Sequence, residues 1–256
     1  MDNLTPTDPW RNLSRLTTAR VGLGRAGGSL PTREVLDFQL SHARARDAVH
    51  LALDVPTIED ALATRGWPFL TVQSRAADRA AYLQNPNRGR RLSAEGLAAL
   101  QPWRHEPAPG YDAVFVVADG LSALATQRHA VPLLDVTLPQ LQALDWRIAP
   151  IVVARQSRVA LGDEIGETLG ADVVVMLIGE RPGLGSADSL GVYVTYGPRV
   201  GRSDAERNCI SNVRLEGLSY AEAAHKIVYL VTEARRLKLS GVALKDETRS
   251  TTRTLE

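Results

Sequence analysis

Three short runs in the second half of the chain constrain its fold more than any other feature: "DAVFVVAD" (112–119), "APIVVAR" (149–155) and "ADVVVMLIG" (171–179). Each is rich in β-branched residues and almost uninterruptedly apolar. A strand with one face in water alternates polar and apolar residues, so an unbroken run needs both faces covered, as in a parallel sheet between helical layers. A fourth run, "GVYVTYG" (191–197), follows. Between the runs lie segments of helical periodicity that can serve as crossovers: "LSALATQRHAVPLLDVTLPQLQAL", interrupted by Pro132 and Pro139, and "GDEIGETLG". A last amphipathic segment, "SYAEAAHKIVYLVTEARRLK", opens on Ser219 with Glu222 three residues later, the spacing of a capping box. This alternation predicts an α/β fold: a Rossmann-like, mostly parallel sheet with helices on both faces.

The first part of the chain reads as mainly helical. In "TREVLDFQLSHARARDAVHLAL" (32–53), Val35, Phe38, Ala45, Val49 and Ala52 recur at helical spacing, with Thr32 placed to cap the helix and Glu34 near its positive end. A shorter helix from Thr57 to Arg65 stops at Gly66. "PFLTVQS" is a short strand, "RAADRAAYL" a helix closed by "NPNRGR", and "SAEGLAAL" a helix capped by Ser93. "QPWRHEPAPG", with three prolines and a glycine, is the natural linker. The expected division is a helical N-terminal arm and subdomain, residues 1–105, before an α/β domain, residues 106–256.

Open parallel sheets bind ligands beyond the carboxyl ends of their strands. Here those ends lead into "ADGLSA" with Asp119, Gly120 and Ser122, "RQSRVALGDEIG" with Arg155, Arg158 and Gly162, and "GERPGLGSADS" with Glu180, Arg181, Gly183 and Gly185. Singly, Asp119–Gly120 reads as a turn and Asp163 as a charge at a helix start. The glycines and proline of "GERPGLG" fit a fixed loop whose backbone comes near a ligand or a neighbouring protein, and three such loops together single out one edge.

A second glycine cluster, Gly22-x-Gly24-x-x-Gly27, has the spacing of a dinucleotide-binding turn. The preceding "NLSRLTTAR" supplies no strand, and Asp47 falls inside a helix rather than at a strand tip. Those glycines, with Gly28, fit better as a side-chain-poor arm lying against another surface. No nucleophile elbow, Walker loop, His-Glu-x-x-His or paired-carboxylate motif is present. The five histidines share no ligand spacing, and Cys209 is the sole cysteine, which excludes an internal disulfide and a Cys-pair zinc site.

A net charge of +1 gives no electrostatic case for nucleic acid. Only three of the 30 basic residues are lysines (Lys226, Lys238 and Lys245), a usage that codon bias in a GC-rich genome explains equally well and that is compatible with a large polar interface without being evidence for one. No apolar run approaches the roughly 18 residues that span a bilayer, and "MDNLTPTDPWRNLSRL", with an acid at Asp2 and no apolar h-region, predicts a chain that is not secreted. Residue types alone leave three readings: a cofactor-binding subunit completed by a partner, a free-standing α/β nucleotide-binding enzyme, and a purely structural subunit.

Several blocks taken together resemble the small subunit of ethanolamine ammonia-lyase. They are "ARVGLGRAGGSLPTREVLDFQLSHARARDAVH", "VVADGLSALA", "RVALGDEIGETLGADVVVMLIGERPGLGSADSLGVYVTYGPRVGRSDAERNCISNVR" and "GLSYAEAAHKIVYLVTEARRLKLSGVALKDE". The resemblance runs from about Thr17 to Glu247. It implies a carbon–nitrogen lyase that converts ethanolamine to acetaldehyde and ammonia by a radical mechanism with adenosylcobalamin. In that family a large TIM-barrel subunit carries the substrate pocket, and the small subunit closes the cobalamin site at the interface.

The resemblance implies no catalytic and no metal-ligating residue in this chain. It implies cofactor contacts at Val159 in "SRVAL", Glu180 in "IGERPGL" and Cys209 in "RNCISN". Val159 would offer backbone polar groups and an apolar wall, Glu180 would accept hydrogen bonds from corrin amides, and Cys209 would pack where a longer side chain collides. On the residues alone, the alternatives are Val159 in the core, Glu180 paired with Arg181 or Arg158, and Cys209 as a buried inert thiol. "DAVH" at Asp47 lacks the spacing of Asp-x-His-x-x-Gly, the motif by which some cobalamin proteins supply a histidine ligand, so a base-on cofactor is expected. The implied setting is the cytoplasm, free or within a bacterial microcompartment. The stripe Trp10, Leu13, Leu16 would suit packaging or docking on the large subunit, and the glycine arm would face that subunit too.

Overall fold

The computed structural model describes residues 9–17, 19–105 and 110–248; residues 106–109 of the expected linker lie outside the described residues. The strands are β1 (Phe69–Gln73), β2 (Tyr111–Ala118), β3 (Ile151–Arg155), β4 (Ala171–Gly179), β5 (Leu190–Tyr196) and β6 (Asn208–Val213). They form one sheet in the order β1-β3-β2-β4-β5-β6. The first four in that order are parallel, and the β4–β5 and β5–β6 pairs are antiparallel. The helices are α1 (Thr32–His50), α2 (Val55–Thr64), α3 (Arg79–Gln84), α4 (Ala94–Leu100), α5 (Ala123–Gln142), α6 (Leu161–Leu169) and α7 (Tyr220–Leu237). The fold is the expected mixed α/β layer structure.

The pleat explains the unbroken apolar runs. Successive strand residues point to opposite faces. Ala113, Phe115 and Val117 of β2 and Val173, Val175 and Leu177 of β4 join a core with α2, α5 and α7. Their neighbours Val114, Val116 and Ala118, and Val174, Met176 and Ile178, join a second core with α4 and α6. Full burial of one such valine or isoleucine contributes about 1.5–3 kcal/mol, so polar residues have no place on either face.

Two strands differ from the sequence expectation. "FLTVQ" is a strand as read, but it leaves the helical first part to pair with β3, Leu70 opposite Val152. β6 was not anticipated, because only Ile210 and Val213 of its six residues are buried and no apolar run marks it.

Helix ends show similar adjustments. Ser93 and Ser219 cap as expected: Ser93 Oγ accepts from Gly96 N–H at 3.0 Å, and the Ser219–Glu222 capping box is closed in both directions. Thr32 does not cap α1; it is the first helical residue, preceded by Pro31, with no side-chain cap. Asp54 caps α2 by accepting from Thr57 N–H at 3.3 Å, and Asp78 caps α3, so both helices start elsewhere than read. α5 is continuous through Pro132 and Pro139. The N–H groups these prolines lack would have reached the carbonyls of Arg128 and Asp135, both on the exposed side of the helix, where water can replace the lost bonds.

Asp163 is more than a charge at a helix start. Its carboxylate accepts from Arg207 Nη1 and Nη2 at 2.6 and 2.7 Å, and both side chains are buried. Burial acts against the Arg207 charge, but Asp163 outweighs it and holds the guanidinium above its ordinary range. The pair fastens α6 to the segment entering β6.

α1 and the arm before it are packed differently from the rest. Of the 19 residues of α1 only Ala48 is buried, while Val35, Leu36, Phe38 and Leu40 are exposed. Trp10 and Leu13, on a 3-10 turn over Pro9–Arg15, and Leu16 just after it are exposed as well. Between the two, Gly22, Gly24 and Gly27 take φ of 62°, 74° and 63°, a region that side chains resist. Arg20 returns to α1, lying 5.6 Å from the Phe38 ring centroid and donating to Ser41 Oγ at 2.7 Å. A helix draws most of its stability from tertiary packing, and this one makes little of it with the core.

Candidate functional site

β2 has β3 on one side and β4 on the other, so the chain reverses its direction of travel across the sheet at β2. Crevices at such switch points, beyond the carboxyl ends of the strands, are where open α/β sheets bind ligands. A pocket of about 420 Å³ lies there. Gly120 and Leu121 follow β2, Arg158 and Val159 follow β3, Ile178 and Gly179 end β4, and Glu180 and Arg181 follow it; Tyr82 of α3 and Tyr193 of β5 complete the lining. The edge picked out from the loops is therefore the edge that carries the pocket.

Short polar ties hold the three loops together. Asp119, read as part of a turn, is a buried latch: Oδ1 accepts from Gly120 N–H at 2.9 Å and Ser157 N–H at 2.8 Å, and Oδ2 from Gln156 N–H at 2.7 Å. Burial pushes its carboxyl up, while those donors and the Arg79 guanidinium at 3.7 Å pull the other way. Ser122 caps α5 and also donates to Ala187 O at 2.7 Å, joining the loop after β2 to the loop after β4. The same two loops cross at glycines. A Cβ on Gly120, whose φ is 57°, would stand 2.2 Å from Gly179 O.

Glu180 is half-buried in the pocket wall. Its Oε2 accepts from the Ser189 hydroxyl and from Asn212 N–H at 3.4 Å, and neither Arg158 nor Arg181 pairs with it among the described residues. Gly191 opposite leaves room for this carboxylate, since a Cβ there would stand 3.1 Å from Oε1. Val159 serves as part core and part wall: half-buried, it packs on the core of α4 and α6 and lines the pocket.

Cys209 departs from the buried-thiol alternative. It is exposed on β6, with Sγ 3.2 Å from Ser211 Oγ, and does not line the pocket. It stands directly opposite Tyr193 in the β5–β6 register, and cross-strand partners share a face. Burial first, then Cys209 and Glu180, push the Tyr193 hydroxyl up. The structure thus brings Val159 and Glu180 into one pocket and puts Cys209 one strand away, beside a residue of its wall.

Tyr82 and Tyr193 were not anticipated. Tyr82 is fully buried and donates to Ser157 O at 2.9 Å, and the guanidinium groups of Arg79 and Arg158 lie 4.8 and 4.4 Å from its ring centroid. Its one sequence signal is being an aromatic in "RAAYL", and nothing local links it to Arg158. Among the described residues, no group of three or more His, Cys, Asp or Glu side chains is placed to hold a metal ion, and no helix is long and apolar enough to cross a membrane.

The sequence model of the ethanolamine ammonia-lyase light chain, EutC, matches residues 7–245. The chain is 59% identical over 240 residues to the ethanolamine ammonia-lyase small subunit of Azotobacter vinelandii, covering 94% of this chain and 89% of that one. It is 56% identical over 246 residues to the protein of the same name from Pseudomonas syringae pv. tomato, covering 96% and 86%. With the Pseudomonas putida GB-1 small subunit the identity is 55% over 249 residues, covering 96% and 92%.

Proposed function

The chain belongs to the ethanolamine ammonia-lyase light-chain family, and from that premise we propose that it closes an adenosylcobalamin site at the interface with a large TIM-barrel catalytic subunit. The observation that carries this reading is the strand-end pocket in which Val159 and Glu180 meet. Its residues fit one edge of such a cofactor. At about 420 Å³ the pocket suits a small ligand or part of a large one, so a corrin would extend beyond it and need a second chain to cover the rest.

Glu180 would accept hydrogen bonds from peripheral corrin amides, with Ser189 fixing its carboxylate and Gly191 giving it space. Val159 would press an apolar wall against the ring. Cys209, opposite Tyr193, would keep the surface low where the cofactor continues past the pocket. None of the five histidines lines the pocket, and a base-on cofactor fits such a wall. Bound adenosylcobalamin would supply the radical chemistry that turns ethanolamine into acetaldehyde and ammonia. The residues of this chain would orient it and exclude water, leaving substrate contacts to the large subunit.

The same reading assigns the two parts of the chain different tasks. Residues 106–256 carry the three pocket loops, and residues 1–105 carry the docking surface while lending β1 and Tyr82. The exposed Trp10, Leu13, Leu16, Leu36, Phe38 and Leu40 would face the large subunit, with the glycine arm between them. Work in the cytoplasm, or inside a microcompartment with Trp10, Leu13 and Leu16 presented for packaging, accords with this arrangement.

Co-expression with a candidate large subunit tests the proposal. The chain is expected to co-purify with it, the pair to turn over ethanolamine with added adenosylcobalamin, and the isolated chain to show no turnover. Deamination by the isolated chain, or a pair whose cofactor spectrum does not change on mixing, contradicts it.

A further inference from the structure

We propose that Arg158, braced on Tyr82, receives the phosphodiester of the cofactor's nucleotide tail. The inference rests on the cobalamin reading above and adds a residue and a ligand group to it. Three arginines lie at or behind the pocket, and two are accounted for. Arg79 donates from Nε to Val49 O at 2.7 Å and from Nη1 to Gly120 O at 2.8 Å; its Nη2 is buried without a hydrogen-bond partner, but its charge faces Asp119 at 3.7 Å. Arg181 is exposed to solvent.

Arg158 is different. Its guanidinium lies 4.4 Å from the Tyr82 ring centroid, its Nε is buried without a hydrogen-bond partner, and no described carboxylate lies within ion-pair distance. Its backbone is fixed as well, since Arg158 N–H donates to Gly89 O at 2.8 Å. A Cβ on Gly89 would stand 2.9 Å from Tyr82 Cε2 and 3.0 Å from Arg158 Cγ, so the absence of a side chain there gives the stack its room.

Arg158 is half-buried, and its Nε is withdrawn from water without a partner, a cost that the aromatic face offsets only in part. The planar fork of an arginine matches two oxygens of a phosphate or carboxylate. The wall already holds one carboxylate, Glu180, and it is engaged with Ser189 and Asn212 instead. That leaves the Nε and the fork of Arg158 open to an anion brought by the ligand, and the anionic group in the tail of a cobalamin is its phosphodiester. A neutral corrin amide would leave the charge uncompensated.

The test compares two cofactors on the assembled pair with the large subunit, by equilibrium titration followed by absorption. Adenosylcobinamide lacks the nucleotide tail and its phosphodiester. Arg158→Gln is expected to weaken adenosylcobalamin roughly tenfold to a hundredfold and to leave adenosylcobinamide unchanged, with Arg158→Lys recovering part of the loss. Equal weakening of both cofactors, or of neither, overturns the assignment while the cobalamin reading stands. A wild-type pair that binds neither overturns the cobalamin reading and the assignment with it.

Discussion

Gly179→Ala is expected to remove the pocket and much of the fold's stability together. A Cβ at this position would stand 2.0 Å from Ser122 O and 2.7 Å from Asp119 O, and both are backbone oxygens that no rotamer change can move. Relief requires the loop after β2 to lift from the end of β4, breaking the bond from Leu121 N–H to Gly179 O at 2.9 Å and straining that from Ser122 to Ala187. The loss is expected above about 4 kcal/mol, an exceptional range that this overpacking against fixed backbone can reach. Gly185→Ala is the control, because a Cβ there meets nothing within 4 Å. Urea denaturation should show the control within about 0.5 kcal/mol of wild type; similar losses for the two variants would contradict the crossing geometry.

Asp163→Ala is the second large effect, expected to cost about 3–5 kcal/mol by removing the buried bidentate partner of Arg207 and leaving its guanidinium only the exposed Asp204 carboxylate, 3.4 Å from Nε. Thr195 Oγ1 at 3.2 Å and Arg202 O at 2.9 Å would remain as its neutral acceptors. Because two buried charges lose much of their attraction to desolvation, Asp163→Leu combined with Arg207→Met should recover most of the loss. A double-mutant cycle in urea measures this directly. If Asp163→Ala cost less than about 1 kcal/mol, water would have to reach the pair and the assigned burial would be wrong.

Legibility in the sequence followed the physics of each element. β2, β3 and β4 could be read because two cores press on them and exclude polar residues from both faces. β6 could not, because its exposed positions carry Cys209, Ser211 and Asn212, and a half-covered edge strand leaves no apolar run. "FLTVQ" was visible as a strand, but its place beside β3 is a long-range pairing that local residues do not encode. The prolines of α5 suggested interruption, yet they fall where the freed carbonyls lie toward water.

The site divides along the same line. Strand ends followed by glycines and polar residues marked the edge that carries the pocket. Asp119 looked like a turn residue because its decisive partners, Gln156 and Ser157, are 37 and 38 positions away. Tyr82 bonds Ser157 across 75 positions, a separation at which periodicity says nothing. Val159, Glu180 and Cys209 were supplied by resemblance, and the geometry places the first two in one wall and the third at its margin.

The central claim is that this wall holds adenosylcobalamin within the assembled pair, and an equilibrium titration of that pair followed by absorption tests it most directly. Val159→Asp would set a charge against the corrin, and Glu180→Ala would remove an acceptor. Each is expected to weaken the cofactor about tenfold or more while the two chains still co-purify. Wild-type affinity in correctly assembled variants would contradict the assignment of the pocket.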